Sequence, residues 1–451
     1  MVEKNKNYVI DITGMTHEGQ GVGRVEGFTV FVDGALEGEQ VEIKIVKVNK
    51  NFSFGKLLNI LRPFGSRIEP FCGAFKHCGG CSLQHLDYPG QLEYKTRLVK
   101  DNLKRIGKLD DVIVHNTIGM KEPLNYRNKA QFPVASQNGA VITGFYAKRT
   151  HEVIDSAECG IQDKVSDSLR KMVREFAEEK KISVYDEKTG KGLLRHIMTR
   201  VGFKTGEVMV VIVINGNELP FAGELADRLI AGAPEVKSIF ININKGDTNV
   251  ILGSKNVKIS GSDTITDYIG KYKFHISPLS FFQVNPVQTE VLYGKALEYA
   301  GLTGKENVFD LYCGIGTISL FLSQKARKVY GVEVVEDAVR DARRNAEING
   351  VDNVEFIAGE AEKVIPDMYG RGVKADVVVV DPPRKGCDEA LLKTLADMEP
   401  KRIVYVSCNP ATLARDLKYL GGRGYKTVEA QPVDMFPWTT HVEAVILLQR
   451  P

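Results

Sequence analysis

Asn307-Val308-Phe309-Asp310-Leu311-Tyr312-Cys313-Gly314-Ile315-Gly316 is a short apolar run that stops at an acid, an aromatic residue and two closely spaced glycines. Such a run reads as a buried strand, and the glycines let backbone approach a ligand while the helix that follows points free N–H groups at it. No Gly-Lys-Ser/Thr follows, and Ser319 stands where a dinucleotide fingerprint needs its third glycine, so phosphate-cradling motifs are excluded. Alone, the turn could be a tight strand-to-helix connection. Its neighbours decide otherwise.

Further strands are expected at Lys328 to Val332, Asn353 to Ile357, Ala375 to Val380 and Arg402 to Ser407, alternating with helical segments. Alternation of this kind implies βαβ units and a parallel sheet. Three more loaded turns end such runs: Gly331-Val332-Glu333, Asp381-Pro382-Pro383-Arg384-Lys385-Gly386 and Val406-Ser407-Cys408-Asn409-Pro410. In a parallel sheet all four turns meet along one edge, where ligands of open α/β sheets bind. After a helix at Ala411 to Leu420, the runs Tyr425 to Ala430 and His441 to Leu448 follow with no helix between them, as a closing antiparallel pair would. A seven-stranded sheet with that ending resembles a Rossmann-like class I methyltransferase domain.

At 451 residues the chain has room for about three domains. Residues 1–62 carry short alternating runs, with Val41, Ile43 and Ile45 on one face, punctuated by glycines; they are expected to form a small β-barrel. Residues 63–90 and 125–270 form a central α+β domain holding a cysteine cluster, and residues 91–124 and 271–451 the catalytic domain. No apolar stretch is long enough for a transmembrane helix, and Met1-Val2-Glu3-Lys4-Asn5-Lys6 lacks a signal-peptide core, so a cytosolic protein without membrane partners is expected, acting as a monomer.

Asp310, Gly314 and Gly316, with Glu333 placed to hold two ribose hydroxyls, favour S-adenosylmethionine, which has no phosphates to cradle. Cys408 follows a strand end and is a candidate nucleophile. Carbon 5 of uracil is too weak a nucleophile to take a methyl group directly, but a thiolate added at carbon 6 creates an enolate that can. The methylated carbon must then lose its proton, so a carboxylate is also required. Glu443, the one acid in the apolar run after His441-Val442, is the candidate base. Cys313 and Cys387 read as small buried hydrophobes.

Asp381-Pro-Pro-Arg-Lys-Gly, Val406-Ser-Cys-Asn-Pro and His441-Val-Glu resemble the signature of RNA uridine carbon-5 methyltransferases, and Ser277-Pro278-Leu279-Ser280-Phe281-Phe282-Gln283-Val284-Asn285 resembles their cofactor-binding segment. The first 62 residues resemble a TRAM domain, an OB-like RNA-binding barrel. The resemblance implies that Gln283, Tyr312, Glu333 and Asp381 contact S-adenosylmethionine, that Cys408 is the nucleophile and that Glu443 is the base.

Cys72, Cys78 and Cys81 cluster in a Gly-rich loop, and Cys159 is the candidate fourth thiol. Zinc and iron–sulfur clusters both accept four thiolates, and spacing does not separate them. The resemblance implies a 4Fe-4S cluster, in a structural role. TRAM plus cysteine cluster resembles the branch acting on 23S ribosomal RNA, whereas the transfer-RNA branch shares the chemistry and commonly lacks both. Cytosine-specific enzymes resemble a two-cysteine arrangement that is missing here. A non-catalytic RNA-binding or assembly factor, or an iron–sulfur redox sensor, would retain the same sheet and cluster.

Net charge is only +3, but from Ile43 to Arg67 six cations and no acid are interleaved with Phe52, Phe54 and Phe64. Between Gln91 and Thr150 eleven Lys or Arg face five Asp or Glu, which adds to an RNA-binding surface. A solvated lysine-rich edge is the other reading of the first stretch.

Overall fold

The computed structural model describes residues 2–450. Strands Asn7–Met15, Gly21–Val25, Phe28–Val32, Gln40–Val48 and Phe52–Arg62 close into a barrel. Val30, Val32, Val41, Ile43 and Ile45 are wholly buried inside it, as their period of two dictates. Gly55 keeps the interior narrow, since a Cβ there would lie 2.9 Å from Ile43.

A seven-stranded sheet spanning Lys129–Gln137 to Lys255–Gly261 forms the middle of the chain. It is antiparallel except where Val208–Ile214 runs parallel to Val236–Ile243. Helices Lys164–Glu179 and Ala222–Gly232 pack their apolar sides on one face. Met198, Met209 and Val211 on the other face join a core that also contains Val308, Val377 and Val445. The central and catalytic sheets thus share buried apolar surface.

The catalytic sheet has eight strands, in the order Val354–Ala358, Lys328–Glu333, Asn307–Leu311, Val377–Val380, Arg402–Ser407, Glu443–Gln449, Lys426–Val433, Ile113–Val114. The first five are parallel, and Glu443–Gln449 is antiparallel to both its neighbours. Seven strands were expected. The eighth is a two-residue edge, Ile113–Val114, parallel to Lys426–Val433 and too short to announce itself by pattern. Strand order reverses between Asn307–Leu311 and Val377–Val380, which opens the crevice used for ligands in such sheets.

Helix Tyr88–Asn102 starts where Asp87 accepts a hydrogen bond from Gly90 N, and it buries Val99 in the catalytic core. Its Lys95 is fully buried and paired with Asp434 at 2.5 Å. Asp434 also accepts from Tyr88 Oη, and Lys95 donates to Phe436 O. No helix among the described residues is long and apolar enough to cross a membrane. Breaking a buried pair leaves an uncompensated charge, so Lys95→Ala is expected to cost about 3–5 kcal/mol. Urea denaturation measures this, and Lys95→Ala/Asp434→Ala should cost less than the sum of the two single changes.

Candidate active site

The four turns meet at the carboxyl ends of the parallel strands. Asp310 is completely buried; its Oδ2 accepts from Ser319 Oγ at 2.5 Å and its Oδ1 has no partner. Burial pushes its carboxyl up to about 7. Gly316 caps the following helix in left-handed conformation (φ 82°), and a Cβ there would lie 2.7 Å from Phe356. Gly314 is also left-handed (φ 54°), yet a Cβ there would meet nothing within 4 Å. One glycine faces packing and the other faces open space.

Glu333 is oriented by backbone, its two oxygens accepting from Val335 N at 2.9 Å and Gly314 N at 3.1 Å. After it come Val334 and Val335, 58% and 53% exposed, an apolar step beside a carboxylate. Tyr312 is half-buried and gives its hydroxyl to Glu362 at 2.7 Å. The segment carrying Gln283 is fixed from the central sheet: Asn128 donates to Gln283 O at 3.0 Å, and buried Arg200 donates to Ser280 O at 2.6 Å. Asn285 then caps helix Pro286–Ala300.

Cys408 is half-buried immediately after strand Arg402–Ser407. Ser407 pairs with Ala444 across the antiparallel ladder, so one step further Cys408 comes level with Glu443. Glu443 is buried, and burial raises its carboxyl well above the ordinary range, with the Asp381 charge adding to the rise and Arg384 opposing it. Half-buried Asp381 is raised by burial too. The Cys408 thiol is pushed up to about 11 by burial, then by Glu443 and Asp381, against Arg384. Cys313 and Cys387 are buried, as expected.

Two residues of the site escaped sequence reasoning. Tyr293, on helix Pro286–Ala300, is raised by burial and by the charges of Asp381, Asp310 and Glu443, and its hydroxyl meets Thr317 Oγ1 at 2.9 Å. A tyrosine within a helix reads as core, and no sequence signal marks it. Arg384 stood in a quoted motif without a role; its carbonyl is held by Asn409 and Thr412, which fixes the loop that presents it.

Cys72, Cys78, Cys81 and Cys159 line a separate cavity of about 280 Å³, together with Arg127 and Lys129. Burial pushes Cys81 up to about 12 and Cys159 up to about 11, and the charges of Cys159, Cys78 and Cys72 add to the rise at Cys81. Among the described residues no three His, Cys, Asp or Glu side chains are gathered closely enough to hold a single metal ion.

Residues 249–451 match the family model described as tRNA (Uracil-5-)-methyltransferase, and residues 2–58 match the TRAM domain. An uncharacterized RNA methyltransferase of Caldanaerobacter subterraneus is 56% identical over 449 residues, covering 100% of this chain and 99% of its own. One of Clostridium tetani is 55% identical, covering 99% and 97%. The chain belongs to the RNA uracil-5-methyltransferase family. A solved structure of the Pyrococcus abyssi tRNA (uracil-54, C5)-methyltransferase in complex with S-adenosyl-L-homocysteine is 31% identical, with a TM-score of 0.78 and coverage of 97% of this chain and 99% of that one.

The methyltransferase's crevice fits the cofactor its resemblance implied. Open space lies over Gly314, an oriented carboxylate sits beside exposed Val334 and Val335, and crowded carboxyls offer a sulfonium favourable charge. Both glycines are left-handed, so alanine at either costs about 1–2 kcal/mol of backbone strain. Gly314→Ala is expected to add no packing clash to this and to lose cofactor affinity, because its methyl occupies ligand space. Gly316→Ala should instead lower the melting temperature markedly, through the Phe356 clash. Thermal denaturation with and without S-adenosylhomocysteine separates the two.

Proposed function

We propose that this methyltransferase transfers a methyl group from S-adenosylmethionine to carbon 5 of a uridine in structured RNA, through a covalent adduct of Cys408. The observation that supports this reading is the ladder register: Ser407 pairs with Ala444, so Cys408, just past the strand end, falls opposite Glu443 at the start of the neighbouring strand. Bound S-adenosylmethionine supplies the electrophilic methyl group. Cys408 Sγ adds to carbon 6 of the ring as thiolate, and carbon 5 of the enolate so formed would take the methyl group as its bond to the donor's sulfur breaks, leaving S-adenosylhomocysteine. Glu443 takes the proton from carbon 5, the carbon–sulfur bond breaks, and the thiolate leaves as the double bond re-forms. A raised Glu443 carboxyl is a stronger base than an exposed one. Asp381, Glu333, Gln283 and Tyr312 are assigned to cofactor binding, Glu333 through the ribose. Asp381 also adjoins the ring site.

Cys408→Ala is expected to abolish both methylation and the adduct. Glu443→Gln should form the adduct with methylated RNA but release it slowly, so mass spectrometry finds the covalent complex accumulating. Undiminished turnover by either variant would eliminate the role given to that residue.

Because the free thiol sits near 11, alkylation of Cys408 by iodoacetamide should accelerate about tenfold per pH unit from pH 7 to 10. A nearby cation favours the thiolate. S-adenosylmethionine should therefore speed alkylation relative to S-adenosylhomocysteine, whose sulfur carries no charge, at equal occupancy.

For the second cavity the reading is a 4Fe-4S cluster held by Cys72, Cys78, Cys81 and Cys159. Support comes from four thiols lining one cavity, with Arg127 and Lys129 beside them to offset the cluster's negative charge. Anaerobically purified protein should contain about four iron atoms per chain. One equivalent of zinc would overturn this assignment.

The substrate proposed is 23S ribosomal RNA, from the resemblance of TRAM plus cysteine cluster to that branch. The whole-chain likeness to the P. abyssi enzyme favours transfer RNA as the second reading. Mapping 5-methyluridine in both RNAs from cells lacking the protein decides between them.

A further inference from the structure

We propose that Asp416, together with Arg415, is a positioning residue that fixes the loop after Asp381 and so sets where the Arg384 guanidinium stands relative to Cys408 and Glu443. This rests on the reading of Cys408 as nucleophile and Glu443 as base. The loop runs Pro382-Pro383-Arg384-Lys385-Gly386-Cys387. Gly386 N donates to Pro383 O at 2.8 Å, closing a turn, and Gly386 is left-handed (φ 79°). A Cβ on Gly386 would lie 2.6 Å from both the Arg415 guanidinium and Asp416 Oδ2, so the loop lies directly against those two side chains. Arg384 is exposed and, among the described residues, its guanidinium has no hydrogen bond or ion pair. Its place therefore follows from the place of its backbone.

Packing leaves one side of this backbone open, where a cavity of about 790 Å³ is lined by Lys385, Gly386 and Cys387 and by Leu392, Arg415 and Asp416. Hydrogen bonds hold the loop instead. Arg384 O accepts from Asn409 Nδ2 at 3.0 Å and Thr412 Oγ1 at 3.1 Å, and Lys385 O accepts from Arg415 at 2.9 Å. Cys387 is held twice, its N donating to Asp416 Oδ2 at 2.8 Å and its O accepting from Arg415 at 3.3 Å. Asn409, Thr412, Arg415 and Asp416 recur at three- and four-residue spacing, along one side of helix Pro410–Gly421, which starts beside Cys408.

Asp416 joins the parts of this brace. It is wholly buried; its Oδ1 accepts from Arg415 Nε at 2.8 Å, and its Oδ2 accepts from Tyr405 Oη at 2.6 Å as well as from Cys387 N. Tyr405 is itself buried, three residues before Cys408 on strand Arg402–Ser407. One carboxyl group thus ties the Arg384 loop to the nucleophile's strand and to the helix that follows it. Apolar packing would stabilise such a helix as well as a buried ion pair does, so what the acid adds is a fixed place for the loop. The charges that shift Cys408 are those of Glu443, Asp381 and Arg384, whereas Asp416 acts on Cys387 and Tyr405.

The test follows iodoacetamide alkylation of Cys408 from pH 7 to 10 in the full chain, purified with its thiol pocket intact, by mass spectrometry of the Cys408 peptide. Removing a negative charge would by itself ease thiolate formation, whereas releasing Arg384 opposes it. Asp416→Asn should therefore move the profile to higher pH, slowing alkylation at least about threefold at each pH. Arg415→Gln, at a side chain 55% exposed, should do the same without endangering the fold. Arg384→Met should also move the profile to higher pH, and adding Asp416→Asn to it should move it no further. An unchanged or lowered profile in either folded single variant of the brace, or an additive shift in Arg384→Met/Asp416→Asn, would overturn the proposal. Methylation is scored on the same preparations, where kcat should fall at least about threefold alongside the alkylation rate. A wild type inactive on every uridine RNA would sink the catalytic reading alone, since alkylation needs no turnover.

Discussion

Asp310, Asp381, Glu443 and Cys408 are held at the carboxyl edge of one sheet with too little water to ionise all four freely. Burial raises every one of them, and the Asp381 charge adds to the rise at Glu443 and at Cys408. Arg384 is the cation that opposes the rise at both Cys408 and Glu443. An acidic crevice of this kind favours a positively charged ligand over a neutral one of the same shape. Crowding of this kind favours a sulfonium and holds the Cys408 thiol above its ordinary range.

Such an arrangement must be imposed by surrounding structure, because the groups themselves repel. The loop preceding Glu443 is tied down at nearly every step. Asp434 is clamped by Lys95 and Tyr88, Met435 O accepts from Asn285, Pro437 O from Tyr126, and Trp438 N donates to Gln91. Lys95 and Asp434 are 339 residues apart, so the catalytic strand is positioned by a helix from the first quarter of the chain. Asn285, which caps the helix carrying Tyr293, reaches the same loop. The segment carrying Gln283 and the strand that begins at Glu443 are therefore braced against each other.

The catalytic sheet was largely legible in the sequence because burial on both faces demands near-continuous apolar runs, as in Val377–Val380. The loaded turns were legible as well, since acids, glycines and a cysteine at strand ends stand out against such runs. Ile113–Val114 was not, because two residues carry no periodicity and are recruited by the ladder beside them. Nor was the Lys95 and Asp434 pair: a lysine in a basic helix reads as solvated, and only tertiary packing removes it from water. The topology of the central sheet stayed unread, since Leu194–Val201 and Val208–Ile214 are buried on both faces and show no alternation that would assign their partners.

The thiol pocket occupies an informative place between these parts. Val284, next to Gln283, lines it, while Trp438 packs with Cys81 and Cys159 through Tyr126 and Ile161. Trp438 O in turn accepts from Ser82 N and Leu83 N, within the cysteine loop. Four half-buried thiols from two loops distant in sequence line this one space. The pocket is thus bordered by the segment that carries Gln283 and by the one that leads to Glu443.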